Sequence, residues 1–312
     1  MLAEFVITSW HWATFLACIL FLLALDLGVF HRAARVVQFK EALGWTGAWF
    51  CLAMGFAALI ATLMTKEKAL LFATGYIVEL SLSMDNVFVI AVIFRYFQVP
   101  IQYQHRVLFW GILGALAMRG VMIWLGAAMV ERFEWTLYIL GAFLIFTGLK
   151  MIFSSDEGVH PEKNPVIRLA RRWFPVADQF DGQKFFTQVR GSRALTPLAI
   201  VLIMVETTDL IFALDSLPAI FGITQDAFII FTSNVFAILG LRSLYFALAE
   251  AIQYFTHLKV GLSAVLVFIG IKMVGKHWFE IPTLWSLIIV AGIILSSILV
   301  SLIVAARPKR DH

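Results

Sequence analysis

Five carboxylates lie in stretches of this chain that are otherwise apolar. Glu79 and Asp85 fall in "VELSLSMDNVFVIAV" (78–92), and Glu206, Asp209 and Asp215 in "VETTDLIFALDSLPAIF" (205–221). Asn86 contributes an amide, and Ser81, Ser83 and Ser216 contribute hydroxyls. Carboxylate, amide and hydroxyl oxygens are ligands for hard cations such as Mn²⁺, Mg²⁺ or Ca²⁺, whereas zinc and copper sites draw on His or Cys. No histidine is expected at the centre of an apolar run, and His105, His257 and His277 read as loop or interface residues. Cys18 and Cys51 have neither metal-type nor redox spacing and read as packed core thiols. The chain shows no nucleophile and base arrangement, phosphate-binding glycine loop or dinucleotide fingerprint, which points away from an enzyme.

The solvent around these acids follows from composition. The 312 residues are 61% hydrophobic and 14% charged, with a mean hydropathy of +0.90, as in a polytopic membrane protein. An ionised carboxylate at the centre of a membrane helix costs roughly 2.5 to 3.5 kcal/mol, so five unpaired ones would cost on the order of 10 kcal/mol or more. Arg119 and Arg242 also lie within apolar runs and can pair with two of the five. The remainder leaves room for protons, a divalent cation, or both in exchange, and intramembrane acids usually mark such pathways.

A spanning helix needs about 20 mostly apolar residues. Nine runs qualify, centred near Ala17, Ala53, Asp85, Met118, Phe143, Asp209, Ala237, Val267 and Ile293. The predicted fold is therefore all-α, a transmembrane bundle of about nine spans. The first run is expected to be a helix of the bundle and not a cleaved leader, because "MLAEF" carries no positive residue and the run is long. With the N-terminus outside, Arg32, Arg35, Lys40, Arg95, Arg106, the loop at 154–195 and Arg307, Lys309 and Arg310 share the cytoplasmic side; Lys66, Lys68, Arg132 and Lys276 fall opposite. The pI of about 9.1 reflects these short loops and not a nucleic-acid surface, for which no recognition motif is present. In the loop, "NPVIRLARRWF" sets Val166, Leu169, Ala170 and Trp173 against Arg168, Arg171 and Arg172 at helical spacing. A helix on the membrane surface and a solvated linker both fit that pattern. The aromatic residues of "FEW" (133–135) read as interfacial anchors.

The chain also repeats itself. "FLIFTGLKM" matches "LVFIGIKM", aligning Lys150 with Lys272, and "ILGALAMR" ending at Arg119 resembles "VFAILGLR" ending at Arg242. Glu79 and Asp85 align with Asp209 and Asp215, six residues apart in both copies, with Asn86 opposite Ser216. Each copy holds three spans, and an odd number inverts the second copy in the membrane. Inverted repeats are typical of secondary transporters that bind cargo near the midplane. The segments predicted are 1–66, two helices; 67–153, the first repeat; 154–195, the basic loop; 196–276, the second repeat; and 277–312, the last helix and a basic tail. Six residues along a regular helix turn a side chain by about 600°, leaving the paired acids about 120° apart. An unwound or kinked segment would aim both at one ion, with Ser81 and Ser83 satisfying freed backbone groups. Pro218 cannot bond the Leu214 carbonyl, which could then serve as a ligand. Glu206 and Asp209 share a face without distortion.

At these motifs, with "TSNVFAILGLRSLYF" and "VFIGIKM" following, the chain closely resembles the TerC integral membrane protein family, its Alx-like bacterial members in particular, over about residues 8 to 305. The resemblance implies Mn²⁺ export across the bacterial inner membrane, with links to tellurite resistance in other members. The family's acidic motif positions fall on Glu79, Asp85, Asn86, Glu206, Asp209 and Asp215; Ser81, Ser83, Ser216, Arg119 and Arg242 support them on the residue reading above. The partners implied are a divalent cation and the lipid bilayer. Open alternatives are a Ca²⁺ or proton carrier, or a membrane scaffold in a metal or tellurite stress complex.

Overall fold

The computed structural model describes residues 8–28, 39–133, 135–153, 164–189, 191–248, 258–278 and 281–305. Arg32, Arg35, His257 and the basic tail lie outside them, as does the first part of the long loop. The helices are α1 (Ser9–Gly28), α2 (Phe39–Leu63), α3 (Lys66–Tyr96), α4 (Ile101–Arg132), α5 (Trp135–Phe153), α6 (Pro165–Trp173), α7 (Pro197–Phe221), α8 (Ala227–Leu248), α9 (Leu258–Val274) and α10 (Thr283–Ala305). Eight of these, α2 to α5 and α7 to α10, are long and apolar enough to cross a membrane, and α1 carries a shorter apolar stretch, Ser9–Leu23.

Helix ends are fixed by side chains that take up the backbone N–H groups a helix leaves open. Thr65 Oγ1 accepts from the Lys68 N–H at the start of α3. Asp226 Oδ1 accepts from Phe228 and Ile229 at the start of α8, while its other oxygen meets Lys68 Nζ at 2.9 Å. That ion pair ties the beginnings of α3 and α8 together on one side of the bundle.

The innermost helix is α8, which packs against α2, α3 and α4. Around it α3 meets α7, α4 meets α7, and α5 lies along α9. The α5–α9 seam is built on glycine: a Cβ on Gly270 would stand 2.7 Å from the Gly141 carbonyl, and one on Gly148 would stand 2.9 Å from the Ser263 carbonyl. Small residues at such crossings let backbones approach where lipid supplies no hydrophobic drive between helices. On the outer rim α10 leans on α9 and α3.

Three expectations from the sequence are corrected here, and one open choice is decided. Of the two readings of the "NPVIRLARRWF" segment in the long loop, the structure bears out the helix, and it adds a hairpin that the sequence reading did not contain. The loop contains α6, with Ile167 buried, and an antiparallel hairpin of β1 (Phe186–Val189) and β2 (Ser192–Leu195), turned by Gly191 at φ +83°. Asp181 accepts hydrogen bonds from Thr187 and Lys184 in this loop, which holds its carboxyl below the usual range. Neither α3 nor α7 is unwound at its acids: α3 runs unbroken for 31 residues, and α7 continues through Pro218. Ser81 donates to the Ile77 carbonyl of its own helix at 2.7 Å and rescues no freed group. Cys18 and Cys51 are exposed on the bundle's outside and are not packed in a core. In a membrane protein the lipid-facing surface is as apolar as the interior, so apolar neighbours in sequence do not tell the two apart.

Candidate functional site

The middle of the bundle is polar where α3, α4 and α7 meet. Arg119, on α4 and 2% exposed, reaches across to both neighbours. Its Nη1 donates to Glu79 Oε2 at 2.9 Å and its Nη2 to Asp209 Oδ1 at 3.0 Å, while Nε donates to Asp209 Oδ2 at 3.3 Å. The planar guanidinium therefore forks onto Asp209 from α7 and holds Glu79 from α3 with the remaining nitrogen, a geometry that lysine's point charge does not reproduce. Asn86 Nδ2 donates to Asp209 Oδ1 at 3.2 Å, and Ser216 Oγ lies 3.5 Å from Arg119 Nη1. One arginine between two carboxylates leaves the trio one negative charge in excess when all three are ionised.

Glu206 stands one turn before Asp209 on the same helix. Its carboxylate lies over Gly114 of α4, whose missing side chain makes the space: a Cβ there would collide with the carboxylate itself. Glu206 Oε2 is buried without a hydrogen bond. Asp215 is half-buried and turns toward α5, where Thr147 bonds it and Lys150 supplies a nearby positive charge. Asp85 is half-buried on α3 and has its own polar contact. Ser83 is buried with its hydroxyl unbonded, and Arg242 is buried on α8. Thus the structure gathers Glu79, Asn86, Arg119, Asp209 and Ser216 directly and sets Glu206 beside them. Asp215 faces elsewhere, as a regular helix requires of a residue six positions on. Among the described residues, no group of three or more His, Cys, Asp or Glu side chains is drawn together as a ready metal cage.

Two residues escaped the sequence reading. Asn234 of α8 stands against Glu79, 1% exposed, with both amide ends buried and no hydrogen bond of full geometry to either. Its signal was a carboxamide inside "IIFTSNVFAILGLR", an apolar run whose helix proves to be almost wholly buried. Gly114 gave no signal, since its role depends on what crosses it. Away from all these acids, a cavity of about 800 Å³ opens where the start of α3 meets the ends of α7 and α9, with Glu67, Lys272 and Lys276 on its walls.

This arrangement can be set beside known proteins. The Integral membrane protein TerC family matches over residues 64–311, the segment that carries every acid described above. The chain belongs to the TerC family. Among its TerC-type relatives, "Uncharacterized membrane protein STKORF319" of Myxococcus xanthus is 53% identical over 292 residues, 94% of this chain and 92% of that protein. "Putative membrane-bound redox modulator Alx" of Escherichia coli (strain K12) is 42% identical over 310 residues, 96% of this chain and 97% of that protein. An "Uncharacterized membrane protein" of Rickettsia bellii is 41% identical over 94% of this chain. No solved structure matches. The similarity extends over almost the whole length of each relative, so the multi-pass membrane architecture is common to them.

Proposed function

We propose that this TerC-family protein is a divalent metal cation transporter of the bacterial inner membrane that exports Mn²⁺ by alternating access through its intramembrane carboxylates, in exchange for protons. The observation that carries this reading is Arg119 held between buried Glu79 and half-buried Asp209, with Glu206, one of its oxygens buried and unbonded, one turn from Asp209. Buried charges are retained at such expense mainly where ions or protons must pass, and the donors here are the hard oxygens that suit Mn²⁺. The pairing of α3 with α8 and of α4 with α7 supports the inverted repeat, in which these contacts are equivalent and the acids would lie between the two copies. The distribution of Lys and Arg supports a periplasmic N-terminus and a cytoplasmic C-terminus.

A scaffold reading is favoured by one observation: Arg119 already ties two carboxylates, so the network could serve as a strut. Flux measurements on the full-length protein in liposomes separate the two. Mn²⁺ uptake down a gradient, with internal pH recorded, is expected for the wild type and is expected to vanish in Asp209→Asn and Glu206→Gln. Absence of flux from folded, inserted wild type would overturn transport of Mn²⁺. Unchanged flux in either variant would remove that carboxylate from the path.

A further inference from the structure

Glu79 and Asn234 face one another across α3 and α8 and interact only loosely, with no hydrogen bond of full geometry between them. Glu79 is 1% exposed, and only Oε2 is engaged by Arg119; Oε1 is buried without a hydrogen bond. Asn234 is equally enclosed, and apart from this loose approach to Glu79 neither its carbonyl nor its amide nitrogen has a partner. Gly75, one turn before Glu79, brings the helices this close, since a Cβ there would meet Ser233 Oγ at 3.0 Å. Buried polar groups of this kind are nearly always satisfied, so each orphan calls for a ligand or a water. An anionic and a neutral oxygen side by side form half of a hard-cation site.

We propose that Arg119 holds the place of the cargo: a divalent cation enters by taking Glu79 from Arg119, with Asn234 Oδ1 as its neighbouring ligand, while Arg119 keeps Asp209. This rests on the transport reading above. Charge supports the exchange. With Glu79, Asp209 and Glu206 ionised, the cluster and Arg119 sum to minus two, which a divalent cation brings to zero. The displaced guanidinium is not stranded, because Asp209 already holds it at two atoms and Glu206, one turn away on the same face, has a buried oxygen unbonded. Asn234 is then a specificity residue that no acidic motif contains, and Arg119 is a positioning residue that sets how tightly the empty site resists its cargo.

The test is Mn²⁺ binding to purified full-length protein, read as a dissociation constant and as the rise in melting temperature on adding Mn²⁺. Asn234→Leu fills the same space without the amide, so it is expected to melt no lower than wild type without metal and to bind Mn²⁺ at least about tenfold more weakly. Arg119→Gln is expected to bind Mn²⁺ about tenfold more tightly, with a larger metal-induced rise in melting temperature and slower turnover in liposomes. Arg119→Lys, which keeps the charge without the fork, is expected to lie between Arg119→Gln and wild type, and it decides the matter if the glutamine variant does not fold. Wild-type affinity in folded Asn234→Leu would show a bridging water only, and wild-type affinity in the Arg119 variants would show a strut; either result overturns the inference. Failure of wild type itself to bind Mn²⁺ would instead overturn the transport reading.

Discussion

At Arg119 the low dielectric of the bundle interior acts in two directions. It strengthens the attraction to Glu79 and Asp209, and it raises the cost of leaving any one of the three alone, which for a buried pair is about 3–5 kcal/mol. A site of this kind resists loss of a partner but accepts replacement of one positive charge by another, which suits a carrier better than a passive core. Gly114 tests the neighbouring carboxylate without touching charge. Gly114→Ala gains about 1 kcal/mol of helix propensity, yet its methyl group would occupy the space of the Glu206 carboxylate. The variant is expected to insert and melt much as wild type while Mn²⁺ flux falls roughly tenfold or more, the scale on which misplaced functional groups lose rate. Unaltered flux would separate Glu206 from the path. The acids themselves were legible in the sequence because charge inside an apolar run has so few explanations. Asn234 and Gly114 were not, because the meaning of an amide or a glycine depends on which helix crosses it.

Among the elements, the α5–α9 seam is the place where backbone meets backbone. Gly270→Ala would set a methyl carbon 2.7 Å from the Gly141 carbonyl and 3.0 Å from the Ile145 nitrogen, and neither of these backbone atoms can rotate away. Overpacking of this sort costs about 1–3 kcal/mol, more than the alanine gains in helix propensity, so a lowered melting temperature in detergent is expected; an unchanged one would mean that the seam is not close-packed in solution. Element existence was well marked in the sequence, since apolar runs of about 20 residues have one main reading. Continuity was not. Paired acids six residues apart invited an unwound segment, but α3 and α7 remain helical and send those acids to different neighbours, Asp215 toward Thr147 and Lys150 and Asp209 toward Arg119. The hairpin was missed for a different reason: β1 and β2 are four residues each, too short for a period-two pattern to stand out from the basic loop around them.

For the molecule as a whole, the proposed orientation rests on the distribution of Lys and Arg. A C-terminal reporter is expected to be active in the cytoplasm, and one active only in the periplasm would invert every statement about entry and exit. The hairpin that the sequence concealed has a mechanical consequence. Thr196 caps α7 by accepting from the Ala199 N–H, and the same hydroxyl donates to the Lys184 carbonyl at 2.7 Å, while Leu195 bonds back to Pro175. The loop is thereby bolted to the end of the rod that carries Glu206, Asp209 and Asp215, and those residues follow along a regular helix that rises about 1.5 Å per residue. A pull on the loop therefore acts on the helix that carries those carboxylates, roughly 15 to 30 Å along its axis.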